Sequence, residues 1–414
     1  MADEKRIATF DWLYNNLYEF RKGSPPNNKK GVTKNELITN YNVDESLLTA
    51  LTDKRLVTRQ NCVGFNPNIP KTYFDSYVTS SVYNNNTIYC TSPVIKKYNN
   101  ETIPNIIGIN NNGYRNGNFN VTTHETDNRN ISVQYDGKIL VASYTKIVRY
   151  NQDGTIDTTF TSKFATNTEI LCMKPQSDGK ILVGGFITKY NDQQCPSGII
   201  RLLNNGDIDP TFNSGNSGVY AQSGTPYTKY VRSINIKNDT IYIGGSFGSY
   251  NGVFSPLFVK LNMQGEILKP NDVIYSHSNY IEGVVSIDFI DNNIIIGGEF
   301  YIYNASLPPD TSYSNLAIVT ENITHIPTFK NAIIGINVVK HINNEIYVGT
   351  NTMLYKIDKN SGQTISYEPN ITVYDINKTD NNSIIVVGGF TNYKSKKCNN
   401  IVMIDSSLNI IQSF

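Results

Sequence analysis

One segment of the sequence matches a catalytic motif, G-x-S-x-G, with Ser246 at its centre. In α/β-hydrolases this motif places a nucleophilic serine at a sharp turn between a strand and a helix. Here the flanking residues form alternating, β-branched runs, which are typical of strands on both sides. We therefore predict that Ser246 is structural and not a nucleophile.

Other groups that could do chemistry are scattered. Four histidines lie far apart, without the short spacing of metal ligands. Four aspartates recur around the turns of two segments, but they lack the dense pattern of a calcium loop, and turn chemistry explains them. The residues concerned are His124, His277, His325 and His341, and Asp153, Asp157, Asp207 and Asp209. No carboxylate pair for glycoside hydrolysis is evident locally. We predict no catalytic or metal residue, no cofactor, and no enzymatic activity.

Tyrosine offers a different indication of function, because 28 tyrosines are present. Five of them follow the same Gly-Gly position by a few residues, so they would cluster on one face of a repeat protein. Tyrosine is enriched in protein interfaces and stacks on sugars. These side chains form a candidate interaction surface, or else they fill the space between repeats. They are Tyr190, Tyr250, Tyr301, Tyr303 and Tyr393.

A strand–turn–strand unit recurs along the chain. The tyrosines follow copies of this unit, so its strands should position them. Its clearest copies are residues 178–185, DGKILVGG, and residues 292–298, NNIIIGG. The terminal pair begins at positions 91, 142, 184, 244, 297, 349 and 388, which are separated by 39 to 60 residues. Asn, Asp and Gly before the buried strand suit a tight hairpin turn, and the glycine pair permits close packing or a bulge.

Two further strands complete each unit. The third strand begins at residues 147, 199, 316 and 401 in the clearest copies, and a short fourth strand ends at a Phe thirteen residues later. Four antiparallel strands form one blade of a β-propeller. The sequence therefore predicts an all-β propeller of seven four-stranded blades.

The second and third units resemble the delta-60 type β-propeller repeat family. The resemblance rests on Asp178–Phe186, Ile200–Leu202 and Gly206–Phe212, with Gly154–Phe160 as a second copy. It covers roughly residues 70–414 and implies a fold, with little about activity. Such repeats occur in bacterial surface proteins and in virion proteins of tailed phages, including crAss-like phages.

Residues 1–66 do not follow the repeat. Helical spacing of apolar residues, a capping-box pattern at Thr33–Glu36, a third apolar helix and a strand at 55–59 resemble a winged-helix domain. Asp44 and Glu45 would begin the recognition helix and face phosphates, so protein docking is favoured over DNA binding. We predict a helical docking domain over 1–66 and the propeller over 67–414.

Composition limits the classes of partner. The net charge is +1 and charged residues make up 17%, which argues against a strongly basic nucleic-acid binder. No apolar run reaches membrane-spanning length, and no secretion signal is evident. Five cysteines without a C-x-x-C pair are typical of free thiols in a reducing compartment.

These observations and the resemblance together favour a non-enzymatic structural protein. The resemblance implies a phage virion component, in the tail or collar, made in the host cytoplasm and present in several copies of a symmetric assembly. Its partners would be other virion proteins, with neither membrane nor nucleic acid favoured. A carbohydrate- or host-receptor-binding propeller, a glycan-active enzyme and a DNA-binding regulator remain the alternatives.

Overall fold

The computed structural model describes residues 74–99, 101–122, 127–221, 228–271, 274–275, 283–302, 315–320, 325–326 and 333–414. All of them belong to one compact unit, Thr72–Phe414. The predicted winged-helix-like domain and the boundary at residue 66 lie outside the described residues. Within the described ranges the regular structure is entirely β, and no helix there could cross a membrane.

Seven principal sheets follow one another along the described chain, and all are antiparallel. We number them sheet 1 to sheet 7. The strands of sheets 1 to 3, with their accessory hairpins, are β1 (Ser80–Asn84), β2 (Thr87–Thr91), β3 (Lys97–Tyr98), β4 (Glu101–Thr102), β5 (Ile106–Asn110), β6 (Asn130–Val133), β7 (Ile139–Ala142), β8 (Ile147–Tyr150), β9 (Glu169–Pro175), β10 (Ile181–Phe186), β11 (Lys189–Tyr190), β12 (Gln193–Gln194) and β13 (Ile199–Leu202).

The strands of sheets 4 and 5, with their accessory strands, are β14 (Val219–Tyr220), β15 (Tyr230–Lys237), β16 (Thr240–Ser246), β17 (Ser249–Tyr250), β18 (Val253–Phe254), β19 (Phe258–Leu261), β20 (Ile267–Pro270), β21 (Ile274–Tyr275), β22 (Gly283–Ile290), β23 (Asn293–Glu299), β24 (Tyr301–Ile302), β25 (Leu316–Val319) and β26 (His325–Ile326). Those of sheets 6 and 7 are β27 (Ile336–Ile342), β28 (Glu345–Thr350), β29 (Met353–Asp358), β30 (Thr364–Pro369), β31 (Thr372–Lys378), β32 (Ile384–Gly389), β33 (Asn392–Tyr393), β34 (Lys396–Lys397), β35 (Ile401–Ile404) and β36 (Ile410–Ser413).

The strand orders are β1-β2-β5, β6-β7-β8, β9-β10-β13, β15-β16-β19-β20, β22-β23-β25-β26, β27-β28-β29-β30 and β31-β32-β35-β36. The second strand of each sheet is almost wholly buried, as its β-branched sequence predicts. The predicted tight turns are confirmed where Asn238 and Asp239 have φ of 48° and 53°, and where Asn343 and Asn344 have 52° and 71°.

The glycine pair combines both predicted roles. A Cβ added at Gly244 would lie 2.5 Å from the side chain of Val284, which belongs to β22, the first strand of sheet 5. A Cβ at the next residue, Gly245, would lie 2.0 Å from the Tyr230 carbonyl oxygen, where the ladder shifts register between Val231 and Ser233. The missing side chain of Gly244 therefore lets sheet 5 pack closely against sheet 4, and Gly245 accommodates a β-bulge.

The fourth strand departs from the prediction of seven four-stranded units. Sheets 4 to 7 have four strands, whereas in sheets 1 to 3 the fourth segment pairs only through isolated bridges. The reason is a tight turn that we call the Asx–Phe turn, formed by Asn116–Phe119, Asp157–Phe160 and Asp209–Phe212. In each, the Phe amide donates to the carbonyl of the Asn or Asp, so the backbone curls away from the ladder.

Every sheet is joined to the next by hydrogen bonds, and sheet 7 is joined to sheet 1. The donor–acceptor pairs, in order around the molecule, are Ile131 N to Ser80 Oγ, Gln134 Nε2 to Gly179 O, Arg201 Nη1 to Met263 O, Asn235 Nδ2 to Ile287 O, His341 N to Asp288 Oδ2, Asn337 Nδ2 to Val373 O and Ser81 N to Asp375 Oδ2. The succession of sheets is therefore closed on itself.

Candidate functional site

The predicted tyrosine surface does not hold for three of its five members. Tyr190, Tyr250 and Tyr393 are at most 3% exposed. Each lies in a short hairpin after the second strand and donates its hydroxyl to a backbone carbonyl within the same repeat. The acceptors belong to the turn before the fourth segment, and the Tyr250 Oη to Gly265 O distance is 2.9 Å. A side chain so enclosed cannot form an exposed contact.

The other two members have different positions. Tyr301 is partly buried in β24, and Tyr303 lies outside the described residues. Sequence reasoning missed a fourth buried tyrosine, Tyr98, whose hydroxyl donates to Gly113 O at 2.5 Å. The common signal is a tyrosine 15 or 16 residues before its acceptor. Burial raises the pKa of Tyr190 to about 12, so this phenol stays protonated as a donor at neutral pH.

Two of the recurring aspartates take part in buried ion pairs that the sequence did not reveal. In sheet 2, Arg149 Nε donates to Asp157 Oδ2 at 2.7 Å, and Arg149 Nη2 donates to Thr159 Oγ1 at 3.1 Å. The guanidinium also lies 4.9 Å from the centre of the Phe160 ring. Sheet 3 repeats the arrangement with Arg201, Asp209, Thr211 and Phe212. We call these two groups the arginine clusters.

Each arginine cluster also reaches the next sheet. Arg149 Nη1 donates to the backbone carbonyl of Asn204 in sheet 3 at 2.8 Å, and Arg201 Nη1 donates to the Met263 carbonyl in sheet 4. The arginines are almost fully buried. One side chain therefore holds the Asx–Phe turn of its own sheet and the next sheet together. The signal in the sequence is an Arg eight residues before each Asp.

The clusters determine the electrostatics of their carboxylates. Burial alone would raise the pKa of Asp209, but hydrogen bonds from Thr211 and the charge of Arg201 outweigh it and lower the pKa to about 2. The pKa of Asp157 is likewise held well below its usual range, with Lys138 and Thr159 as donors against the effect of burial. Turn chemistry therefore explains only part of the role of these aspartates.

The remaining residues that the sequence singled out are Ser246 and the four histidines. Ser246 ends strand β16, fully buried, and its Oγ accepts a hydrogen bond from the Thr228 amide at 3.2 Å. His341 donates its amide to Asp288, and its Nε2 is buried without a hydrogen-bond partner among the described residues. His325 lies in β26, whereas His124 and His277 lie outside the described residues. Among the residues that are described, no group of three metal-binding side chains comes together.

The first strands of sheets 3, 5, 6 and 7 carry a small set of charged groups that influence one another. Asp288 and Asp375 each accept a backbone amide of the next sheet, at 2.8 and 2.9 Å. Burial raises the pKa of Asp375, although the charge of Lys340 opposes it. Burial lowers the pKa of Lys174, and the like charge of Lys340 lowers it further. Both carboxylates are thus engaged in joining sheets.

Two groups of strands bring exposed apolar side chains together. On the edge strand β30 of sheet 6, Ile365 and Tyr367 are 49% and 58% exposed. In the accessory sheet β14-β17-β18, Tyr220, Ser249 and Phe254 are directly paired in register and therefore share one face. The two aromatic rings of that row are 48% and 46% exposed, and the Lys229 Nζ lies 4.7 Å from the Tyr220 ring centre.

Two of the known structures that are similar to this chain illustrate the likeness. A computationally designed protein, Ika8, has a TM-score of 0.48 at 9% identity, covering 79% of this chain and 96% of its own. A protein of unknown function from Bacteroides caccae has a TM-score of 0.41 at 13% identity, covering 66% of this chain and 92% of its own. No curated protein matches the sequence significantly.

A family model matches three segments, residues 134–160, 176–212 and 237–267. Its description is a β-propeller domain of unknown function, DUF5122. The matched segments fall on sheets 2, 3 and 4, and they include both arginine clusters. The antiparallel sheets of the described residues agree with that architecture. The chain therefore carries β-propeller repeats.

Proposed function

We propose that the chain is a seven-bladed β-propeller that acts as a non-enzymatic structural and interaction protein. Sheets 1 to 7 would be its blades, and residues 1–66 would form the winged-helix-like docking domain. The closed succession of inter-sheet hydrogen bonds supports the blade count. The arginine clusters support a rigid scaffold, because their buried charges are committed to joining neighbouring sheets.

The exposed edge of sheet 6 carries the interaction role. Strand β30 spans six residues and is the outer strand of its sheet, and Ile365 and Tyr367 project from it half-exposed. An uncovered apolar edge strand invites pairing with another chain, so proteins normally cover or charge such an edge. A partner protein that adds a strand here would satisfy the free backbone groups and bury both side chains.

The resemblance to virion repeat proteins suggests where this partner is found. We infer a tail or collar component of a phage particle, present in several copies and synthesised in the host cytoplasm. Mass spectrometry of purified particles should find the chain at stoichiometric copy number. Its absence from particles, with abundance in the cell lysate, would contradict the virion assignment.

The role of the edge can be tested separately. In reconstituted particles, an Ile365→Lys/Tyr367→Lys variant should be incorporated at least tenfold less than the wild type, since lysine on an edge strand opposes pairing. Tyr135→Lys is the matched control, because Tyr135 is 85% exposed on a turn of sheet 2. Equal incorporation of both variants would show that the edge of sheet 6 is not the contact.

The aromatic row on β14-β17-β18 favours a second candidate, a carbohydrate-binding propeller. Exposed aromatic rings present apolar faces on which sugars stack. Tyr220 and Phe254 flank Ser249, and Lys229 adds a donor beside them. A glycan array should then show binding that Tyr220→Ala abolishes. An array without any bound glycan would count against this candidate and leave the protein-interaction role intact.

A further inference from the structure

A cleft between sheets 6 and 7 differs from the corresponding places between sheets 2, 3 and 4. Its volume is about 380 Å³, and polar side chains line most of it. Glu345 and Lys356 come from sheet 6, whereas Asn382, Asp405 and Ser406 come from turns of sheet 7. The cleft opens to solvent, because Asn382 and Ser406 in its lining are exposed.

The strand register shows which residues correspond. Lys356 pairs with Tyr347 on the second strand of sheet 6, as Arg149 pairs with Leu140 in sheet 2. Ser406 is the second residue of the turn 405–409, as Asn204 is in the turn 203–207. Asn204 is the residue that accepts the guanidinium of Arg149. The cleft therefore lies where an arginine joins two sheets elsewhere in the same molecule.

Sheet 6 lacks the groups that fill this place in sheet 2. Glu345 stands where sheet 2 has Lys138, since Glu345 precedes the Ile346–Ile357 pair as Lys138 precedes the equivalent Ile139–Tyr150 pair. Ile365 stands at the bulge where sheet 2 has Asp157. Lys356 Nζ lies 3.7 Å from Glu345 Oε1, within its own sheet. No guanidinium from the described part of the chain crosses to sheet 7 here.

Two buried groups of sheet 6 have no hydrogen-bond partner among the described residues. They are Glu345 Oε2 and the hydroxyl of Tyr347, a side chain that is 0% exposed. Glu345 lines the cleft, and Tyr347 pairs in register with Lys356, which also lines it. Burial raises the pKa of Tyr347 to about 12, and the charges of Glu345 and Asp405 add to the rise. A buried polar group without a partner costs free energy, so a ligand that supplies a donor would be favoured.

The charges of the residues that line the cleft favour a positively charged ligand. Two carboxylates, Glu345 and Asp405, face one ammonium, Lys356, so the three groups carry a net charge of −1. Asp405 already accepts the amides of Ser407 and Asn409, each at 2.8 Å. Glu345 Oε2 is therefore the acceptor that lacks a partner among the described residues. A planar cation with several donors matches a carboxylate and a carbonyl better than a sugar hydroxyl does.

We propose that the cleft between sheets 6 and 7 binds a guanidinium group, the arginine side chain of a partner protein, in the place that Arg149 occupies between sheets 2 and 3. The guanidinium would donate to Glu345 Oε2 and to the Ser406 carbonyl. The proposal deepens the interaction role above and rests on it for its biological meaning. Its test uses the isolated chain, so its failure and that of the virion assignment are distinguishable.

Ligand-observed NMR of the full chain with argininamide tests the proposal, because saturation transfer detects weak binding. Saturable binding is expected, and Glu345→Gln should weaken it at least tenfold. Citrullinamide, which has the same shape without the charge, should not compete. Glu266→Gln is the matched control, since Glu266 lies in an exposed turn of sheet 4 and accepts from Asn262. Absence of saturable binding, equal binding by Glu345→Gln, or equal binding of lysinamide would overturn the proposal.

A second variant fills the cleft with groups that this fold already accommodates. Glu345→Lys/Lys356→Arg/Ile365→Asp would rebuild in sheet 6 the Lys138, Arg149 and Asp157 arrangement of sheet 2. The proposal predicts loss of argininamide binding together with an unchanged or raised unfolding temperature. Retention of wild-type binding in a folded triple variant would show that the guanidinium binds elsewhere.

Discussion

At the scale of single residues, the arginine clusters show how one charged side chain can organise a repeat. Arg149 contacts the carboxylate, hydroxyl and ring of its own Asx–Phe turn, and it reaches a carbonyl of the next sheet. Buried ion pairs are costly to desolvate, so their value depends on satisfying every donor. Removing one partner therefore leaves an uncompensated buried charge.

The first prediction concerns Arg201. Arg201→Ala should lower the free energy of unfolding by about 3 kcal/mol, because Asp209 would stay buried without its main cation. Urea unfolding followed by circular dichroism would measure the change. Lys163→Ala is the control, since Lys163 pairs with Asp207 at 2.8 Å on the exposed surface. That variant should unfold at the wild-type urea concentration, and equal losses for both would contradict a special role for the buried pair.

The second prediction is a pH dependence. The pKa of Asp209 is lowered to about 2 in the folded chain, against about 3.9 for a free aspartate. The resulting stabilisation is present above about pH 4 and is lost as the pH falls towards 2. The urea midpoint should therefore decline over this range, and Asp209→Asn should make the decline shallower. An identical pH profile for the variant would refute the assignment.

At the scale of the elements, the Asx–Phe turn decides whether a fourth strand forms. Where Asn116, Asp157 or Asp209 begins the turn, the fourth segment leaves the ladder. Where Ile365 or Ile411 takes that place, the ladder continues beyond a bulge as β30 or β36. The local hydrogen bond of an Asx side chain competes with the strand, and an isoleucine offers no such competition.

The third prediction concerns the glycine pair. Gly244→Ala should destabilise the protein by about 1–3 kcal/mol, because its Cβ would overlap Val284 of the next sheet. Thermal unfolding would measure the loss, and adding Val284→Ala should recover part of it. Gly117→Ala is the control, since nothing lies within 4 Å of its added Cβ. A Gly244→Ala variant as stable as the Gly117 control would argue against close packing of the sheets.

These elements also show what a sequence can reveal. The third-strand starts at residues 147, 199, 316 and 401 agree with the structure, because strand boundaries follow local hydrophobic alternation and turn chemistry. Tyr190 and Tyr250 are buried and do not form an exposed surface. Their spacing along the chain does not encode which side chains the folded sheets enclose. The reach of Arg149 to Asn204 spans 55 residues and two sheets, so no local pattern indicates it.

At the scale of the whole molecule, closure between sheets 7 and 1 links all the sheets. Asp375 Oδ2 accepts the Ser81 amide at 2.9 Å, and the Asn377 side-chain amide donates to Ser81 as well. A linear array of repeats can lose its end units first, because each unit contacts only its neighbours. A closed array has no end units, so its sheets should unfold together.

The fourth prediction follows from this closure. Asp375→Ala should lower the stability of the whole propeller by about 1–3 kcal/mol, since the Ser81 amide would lose a buried acceptor. Hydrogen exchange should then accelerate equally in sheet 3, far around the array, and in sheet 7. Asp380→Ala is the control, because Asp380 accepts from Tyr83 at the same junction but on the exposed surface. Faster exchange confined to sheets 7 and 1 would contradict cooperative unfolding.

The uneven distribution of Asx–Phe turns makes the outer strands differ from one part of the array to another. Sheets 1 to 3 end in Asx–Phe turns that leave the ladder, whereas sheets 4 to 7 each continue into a fourth strand such as β30. A repeat protein with identical units would offer equivalent docking places at every step and would bind a variable number of partners. The units of this chain are unequal, because a fourth strand is paired in sheets 4 to 7 and not in sheets 1 to 3. A strand-adding partner should thus bind in one orientation with fixed stoichiometry, as an ordered assembly requires.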